Sequence, residues 1–120
     1  MHGDIPVFDM TLTAAADLSS LMYKGVKLDT NGKAVAAVLG DGLFILQNTP
    51  TNGAASSVRV HGISFAIAGA AVGAGKRVMT DAAGAIIEAT TGKQSIGTSL
   101  KAATAAGEVI TVLCERSVLA

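Results

Sequence analysis

The sequence is most informative first in what it lacks. Aromatic residues make up 3% of the 120-residue chain, with no Trp, one Tyr and three Phe. The base-stacking platform that single-stranded nucleic acid needs is therefore missing. Nine Lys and Arg balance nine Asp and Glu, for a formal net charge of zero. No basic footprint exists for counterion release on DNA or RNA, so no nucleic-acid partner is expected. Cys114 is the single cysteine, which rules out an intrachain disulfide and a cysteine-based metal cluster. Long apolar runs are absent too. The stretch from Gly62 to Gly75 is uncharged but interrupted by Gly, and it is shorter than the ~20 residues of a membrane-spanning helix. The first residues, Met1-His-Gly-Asp-Ile-Pro6, lack the basic and apolar regions of a secretory leader, so none is expected.

What is present is small and aliphatic. Ala accounts for 22 residues and Gly for 14, and 37 residues are large apolar side chains. From Tyr23 onward, short apolar runs alternate with Gly-containing turns every ten residues or so, the spacing of an all-β barrel or sandwich. Val26 and Leu28 alternate with Lys27 and Asp29, as in a half-buried strand. Asp29-Thr-Asn-Gly32 then forms a turn before the run Ala34 to Leu39. After Gly40-Asp-Gly42, Leu43 to Leu46 is apolar on both faces and reads as a central strand. Gln47 to Ser57 reads as a loop, with the next strand starting at Val58. The apolar parity then flips at Gly62, placing Ile63, Phe65 and Ile67 on odd positions. That change of phase predicts a bulge or bend at His61-Gly62, with a possible change of sheet.

Val26-Lys-Leu-Asp29-Thr-Asn-Gly32 and Val78-Met-Thr-Asp81-Ala-Ala-Gly84 share a V-x-x-D-x-x-G pattern. So short a pattern is read as shared turn chemistry and not as a duplication. Val109 to Cys114 is β-branched and strand-like. Residues 98–106 stay open between helix and strand, since Ala favours helix but Gly97 and Gly107 bracket a short piece. Residues 1–22 are set apart as an N-terminal arm before a single β domain over 23–120. Ile5, Val7, Phe8 and Met10 on that arm are the candidates for contact with a partner or a second subunit, and a short helical turn near Ala14 to Leu21 is conceivable.

No catalytic constellation emerges. Gly69 to Arg77 superficially suggests a phosphate loop, but Ala70 stands where that motif needs Gly and Arg77 where it needs Ser or Thr. A dinucleotide fingerprint fails at Val78. His2 and His61 have no partner at metal-ligand spacing, and His61 is expected at solvent or a subunit interface. No Ser sits in a nucleophile elbow. Cys114 alternates with Ile110 and Val112 and reads as a small buried hydrophobe. The carboxylates Asp29, Asp41, Asp81, Glu88 and Glu108 fall at turns, the ordinary solvated placement. Neither a cofactor, a metal nor an enzymatic activity is expected.

An ordered set of short stretches resembles the small capsid cement, or head decoration, proteins of tailed bacteriophages. They are Asp17-Leu-Ser19, Tyr23-Lys-Gly-Val-Lys-Leu28, Leu46-Gln-Asn-Thr-Pro50 with Gly53, Val60-His-Gly62, Ala68-Gly-Ala70, Gly75-Lys-Arg-Val78, Ile96-Gly-Thr-Ser-Leu100 and Gly107-Glu-Val-Ile-Thr-Val-Leu113. Together they span roughly residues 12–115. Lys76-Arg77 departs from the pattern, which has an acidic residue after Gly75. The resemblance implies a mainly β, single-domain β-tulip or barrel-like fold. It also implies homotrimers made in the host cytoplasm and bound to the major capsid protein on the outside of the mature head of the virion. It carries over no catalytic residues. Two other readings stay open: a small β-barrel accessory domain of an enzyme, and another virion part such as a head-fibre base or tail protein.

Overall fold

A computed structural model describes residues 5–90 and 92–118 of the chain. Its strands are β1 (Ile5–Thr13), β2 (Gly25–Leu28), β3 (Ala34–Ala36), β4 (Phe44–Leu46), β5 (Ala55–Ile67), β6 (Arg77–Thr80), β7 (Ile86–Glu88), β8 (Gln94–Ser99) and β9 (Val109–Val118). No helix occurs among the described residues. The strands form one antiparallel sheet in the order β3-β2-β4-β5-β9-β8-β6-β7, with β1 also paired to β5. The sheet curls into a half-barrel, as the turn spacing and the run of short strands lead one to expect.

Several expectations are met in detail. β4 is fully buried and lies between β2 and β5. Residues 98–106, which the sequence leaves open between helix and strand, divide into the end of β8 and turns, with one bridge from Ala103 to Val72. Others change. The strand after the 47–54 loop starts at Ala55, three residues early, because Asn48 holds it: the Asn48 Nδ2 donates to the Ala55 carbonyl and its Oδ1 accepts from the Ser57 amide. Pairing with β1 carries Ser56 and Ser57 into the ladder against their modest strand propensity. β3 stops at Ala36, because the Val38 amide turns to donate to the Asp41 carboxylate at 2.7 Å.

At His61-Gly62 the β1–β5 register does shift, and β5 passes from pairing with β4 at residues 58–59 to pairing with β9 from residue 62. It stays within one sheet. The buried side does not change parity: Ser56, Val58, Gly62, Ser64, Ala66 and Ala68 all face the interior. The tightly curled concave side takes small residues, and the large Ile63, Phe65 and Ile67 sit half-covered on the opposite face.

The V-x-x-D-x-x-G likeness extends far beyond two turns. In the first hairpin Val26, Lys27 and Leu28 pair with Ala36, Val35 and Ala34; in the second Val78, Met79 and Thr80 pair with Glu88, Ile87 and Ile86. Asp29 Oδ1 accepts from the amides of Asn31 and Lys33, and Asp81 Oδ1 from those of Ala83 and Ala85. The β1–β5 ladder, Asp9↔Arg59 through Thr13↔Ala55, recurs 54 residues later in the β5–β9 ladder, Ile63↔Leu113 through Ile67↔Val109. Ala14 bridges Ala34, and Ala68 bridges Ile86, both in parallel. Each bridge ties down the first residue of an edge strand, β3 or β7.

The chain is thus two structurally equivalent halves that share β5. Its first part closes the first half, and its second part opens the next. Each half has its own core. One gathers Leu18, Val26, Phe44, Leu46 and Val58; the other Val72, Val78, Ile86, Ile96, Ile110 and Val112. Even strained backbone recurs. Tyr23, the one non-Gly residue with positive φ among those described, at 66°, occupies the place of Gly75 at 74°. Each donates its amide to the equivalent carbonyl, Leu46 for Tyr23 and Ser99 for Gly75.

The aspartate-capped turns make a matched pair for measurement. Asp29→Ala and Asp81→Ala should each lower the unfolding free energy by about 1–2 kcal/mol, through loss of two side-chain-to-amide bonds. Urea denaturation checks this, and a loss at one turn only would break the equivalence.

Candidate functional site

Among the described residues the surface encloses no pocket, and no three His, Cys, Asp or Glu side chains converge to hold a metal. No helix among them is long and apolar enough to cross a membrane.

Of the candidate contact residues, Phe8 is 55% exposed and lies across from the exposed His61 on β5. Met10 is half-buried and packs on the first core. Ile5 pairs with Ile63 through the backbone, and the side chains of Ile5 and Val7 lie outside the described ones. Cys114 is buried, as expected for a small hydrophobe. Gly73 to Lys76 is a turn into β6, in which the Gly73 amide donates to Glu88 Oε2 at 2.8 Å.

The exposed carboxylates serve local structure. The Ser19 hydroxyl and amide hold Asp17 below its ordinary carboxylate range. The Thr104 hydroxyl and amide do the same for Glu108. Lys27 and Asp41 form an ion pair at 2.7 Å, with both side chains about a third exposed. Screening by water makes its contribution small.

Two features escaped the sequence reading. The first is a bidentate ion pair: Arg59 Nε and Nη2 donate to the two oxygens of Asp9 at 2.7 and 2.9 Å, and Nη1 donates to the Ile63 carbonyl at 2.9 Å. Arg59 is 4% exposed. The partners are fifty residues apart, so no local pattern announces them.

The second is an apolar sheet face. Ile63, Phe65 and Ile67 of β5 stand beside Leu113, Thr111 and Val109 of β9. Val109 is 46% exposed, Ile63, Phe65, Ile67 and Leu113 are half-buried, and Thr111 is buried at 3% exposure. The Tyr23 ring covers part of the face, edge-on to Phe65 with centroids 5.7 Å apart. The parity flip at Gly62 was its only trace in the sequence.

No family model matches the chain, and no curated protein matches it. Among solved structures, the fold is similar to that of the head fiber gp8.5 N base in bacteriophage phi29. The TM-score is 0.70, at 16% sequence identity, over 94% of this chain and 98% of that one. The likeness establishes a shared all-β fold along essentially the whole of both chains.

Proposed function

We propose that the protein is a structural component of a tailed-phage virion that binds the outer surface of the mature head. The observation that carries this reading is the end-to-end match to a head-fibre base. The absence of a pocket or a metal-ligating cluster among the described residues suits a role carried by surface contact. In this reading the protein is not an enzyme. Its partners are the major capsid protein and further copies of itself, as a homotrimer.

The physical mechanism is linkage. A protein that binds the expanded shell and not its precursor stabilises the expanded state by mass action. Joining several weak contacts in one oligomer raises the overall affinity without any single strong site. Exposed apolar side chains such as Phe8 on β1, Val38 and Leu39 after β3, and Val109 on β9 are available for such contacts.

Two forms of the role are separable. As a cement protein it would occupy many equivalent lattice positions and raise the temperature at which heads disrupt. As the base of a head fibre, the form nearest to the matched structure, it would anchor a projecting chain. Titrating purified protein onto undecorated mature heads distinguishes them. Saturation at many copies with a raised disruption temperature is the cement result. Binding without stabilisation is the fibre-base result. No binding to any head overturns both.

A further inference from the structure

Two Asn-Gly pairs, Asn31-Gly32 and Asn52-Gly53, stand on exposed turns. Such a pair is chemically reactive, because the Gly amide nitrogen has no neighbouring side chain to keep it from the Asn carboxamide carbon. The backbone does not require Asn at either place. The equivalent turns of the second half carry Ala83 before Gly84 and Ala106 before Gly107, and all four glycines have positive φ. Their amides are engaged alike. Gly32 donates to the Asp29 carbonyl and Gly84 to that of Asp81; Gly53 donates to the Ala14 carbonyl and Gly107 to that of Ala68.

We infer that Asn52 is a site of spontaneous deamidation, and that the Asp29 cap protects Asn31 from the same reaction. The Gly53 nitrogen gives its proton to a base and bonds to Asn52 Cγ. The Cγ–Nδ2 bond breaks, and ammonia leaves with a proton from water. A water molecule then opens the succinimide at either carbonyl. One product is aspartate on the original backbone; the other is isoaspartate, with an added methylene in the backbone. No oxidant or reductant is needed. Attack does require the turn to open, since each Gly amide is engaged, Gly53 at 2.9 Å and Gly32 at 3.1 Å. Around Asn52 the turn is otherwise closed by one bond, from the Ala54 amide to the Thr51 carbonyl. Around Asn31 three more bonds hold it. The Asp29 amide donates to the Lys33 carbonyl, and Asp29 Oδ1 accepts from the amides of Asn31 and Lys33 at 2.8 and 2.9 Å. The two side-chain bonds alone make the open turn about tenfold rarer. They also place the Asp29 carboxylate against the amides on either side of Gly32, where its negative charge opposes loss of the Gly32 proton. Asn48 stays intact, because its carboxamide is bound at both ends by Ala55 and Ser57 and Thr49 follows it. Reaction at Asn52 takes the formal net charge from zero to minus one. The isoaspartate product also draws Gly53 off Ala14, beside the end of the β1–β5 ladder at Thr13↔Ala55.

The test incubates the full folded chain at mildly alkaline pH in water enriched in heavy oxygen, followed by digestion and mass mapping. Label should enter residue 52 at least about tenfold faster than residue 31. In urea, where neither turn survives, the two sites should react at similar rates. Asn52→Ala, which places there the residue the second half carries, should abolish the faster labelling and keep the fold. Asp29→Ala should raise the rate at Asn31 by about tenfold and leave that at Asn52 unchanged. Equal rates at the two sites of the folded wild type overturn the inference, as does a rate at Asn31 that Asp29→Ala does not change. A folded chain whose Asn52 is still intact when the urea sample has been consumed overturns it too, since the Ala14 bond would then protect Asn52 fully. None of these outcomes bears on head binding.

Discussion

Gly97→Ala is expected to be the most damaging single-methyl change in the chain. Gly97 lies on β8 opposite Cys114. A Cβ there would fall 2.1 Å from the Leu113 carbonyl oxygen and 2.8 Å from Val112 Cγ1. The first obstacle is backbone. Moving it means parting β8 from β9, where Thr98 pairs with Leu113 and Ser99 with Val112. The flanking residues Ile96 and Val112 also build the second core. Overpacking against so rigid a neighbour should cost more than about 3 kcal/mol, a large part of the total stability of a domain this size. Thermal melting should show a loss of more than about 10 °C, or no soluble folded protein. A melting temperature within about 3 °C of wild type would show that the ladder yields more easily than its geometry indicates.

Breaking the Asp9–Arg59 pair should be the next most costly change, and its pattern is more telling than its size. Asp9→Ala removes both carboxylate acceptors and leaves a guanidinium buried at 4% exposure. A fully buried pair loses roughly 3–5 kcal/mol in this way. The Asp9 side chain is 31% exposed, so water reaches the site and about 2 kcal/mol is the better expectation. At the equivalent register the second half pairs Ile63 with Leu113. The double variant Asp9→Ile, Arg59→Leu should therefore recover most of the loss, because two matched apolar groups leave no charge stranded. The Ile63 carbonyl gives up its bond from Arg59 Nη1, which limits the recovery. Denaturant midpoints of the two proteins check this. A double variant as unstable as Asp9→Ala would mean that the two ladders are not interchangeable.

Much of the fold is legible where its causes are local. Asp29, Gly32, Asp81 and Gly84 mark their hairpins because the turn is made by bonds within four residues of the aspartate. β4 shows itself by a run with no polar position. What was hidden depends on distant partners. β1 pairs with a strand some fifty residues away, and Asp9 on it is acidic for a reason found only on Arg59. The start of β5 was misplaced because Ser56 and Ser57 owe their strand conformation to that pairing. The equivalence of the halves left a trace only at the turns, since a turn needs one particular side chain while a ladder position accepts many. Ile63↔Leu113 and Asp9↔Arg59 share a register and nothing else. Of the candidate contact residues, Phe8 is on open surface and Met10 is drawn into the first core. The apolar face left its trace as the change of phase at Gly62, but periodicity alone does not say which side of the strand Ile63, Phe65 and Ile67 occupy.

The sharing of β5 also governs how the molecule comes apart. Two cores of this size could in principle melt independently. Here residues 55–67 serve both at once, and losing either half strips one set of hydrogen-bonding partners from the same thirteen-residue strand. Neither half has a complete sheet without it. The two cores should therefore unfold as one cooperative unit, and the ladder-bonded amides of β5 should exchange with solvent only when the whole chain opens.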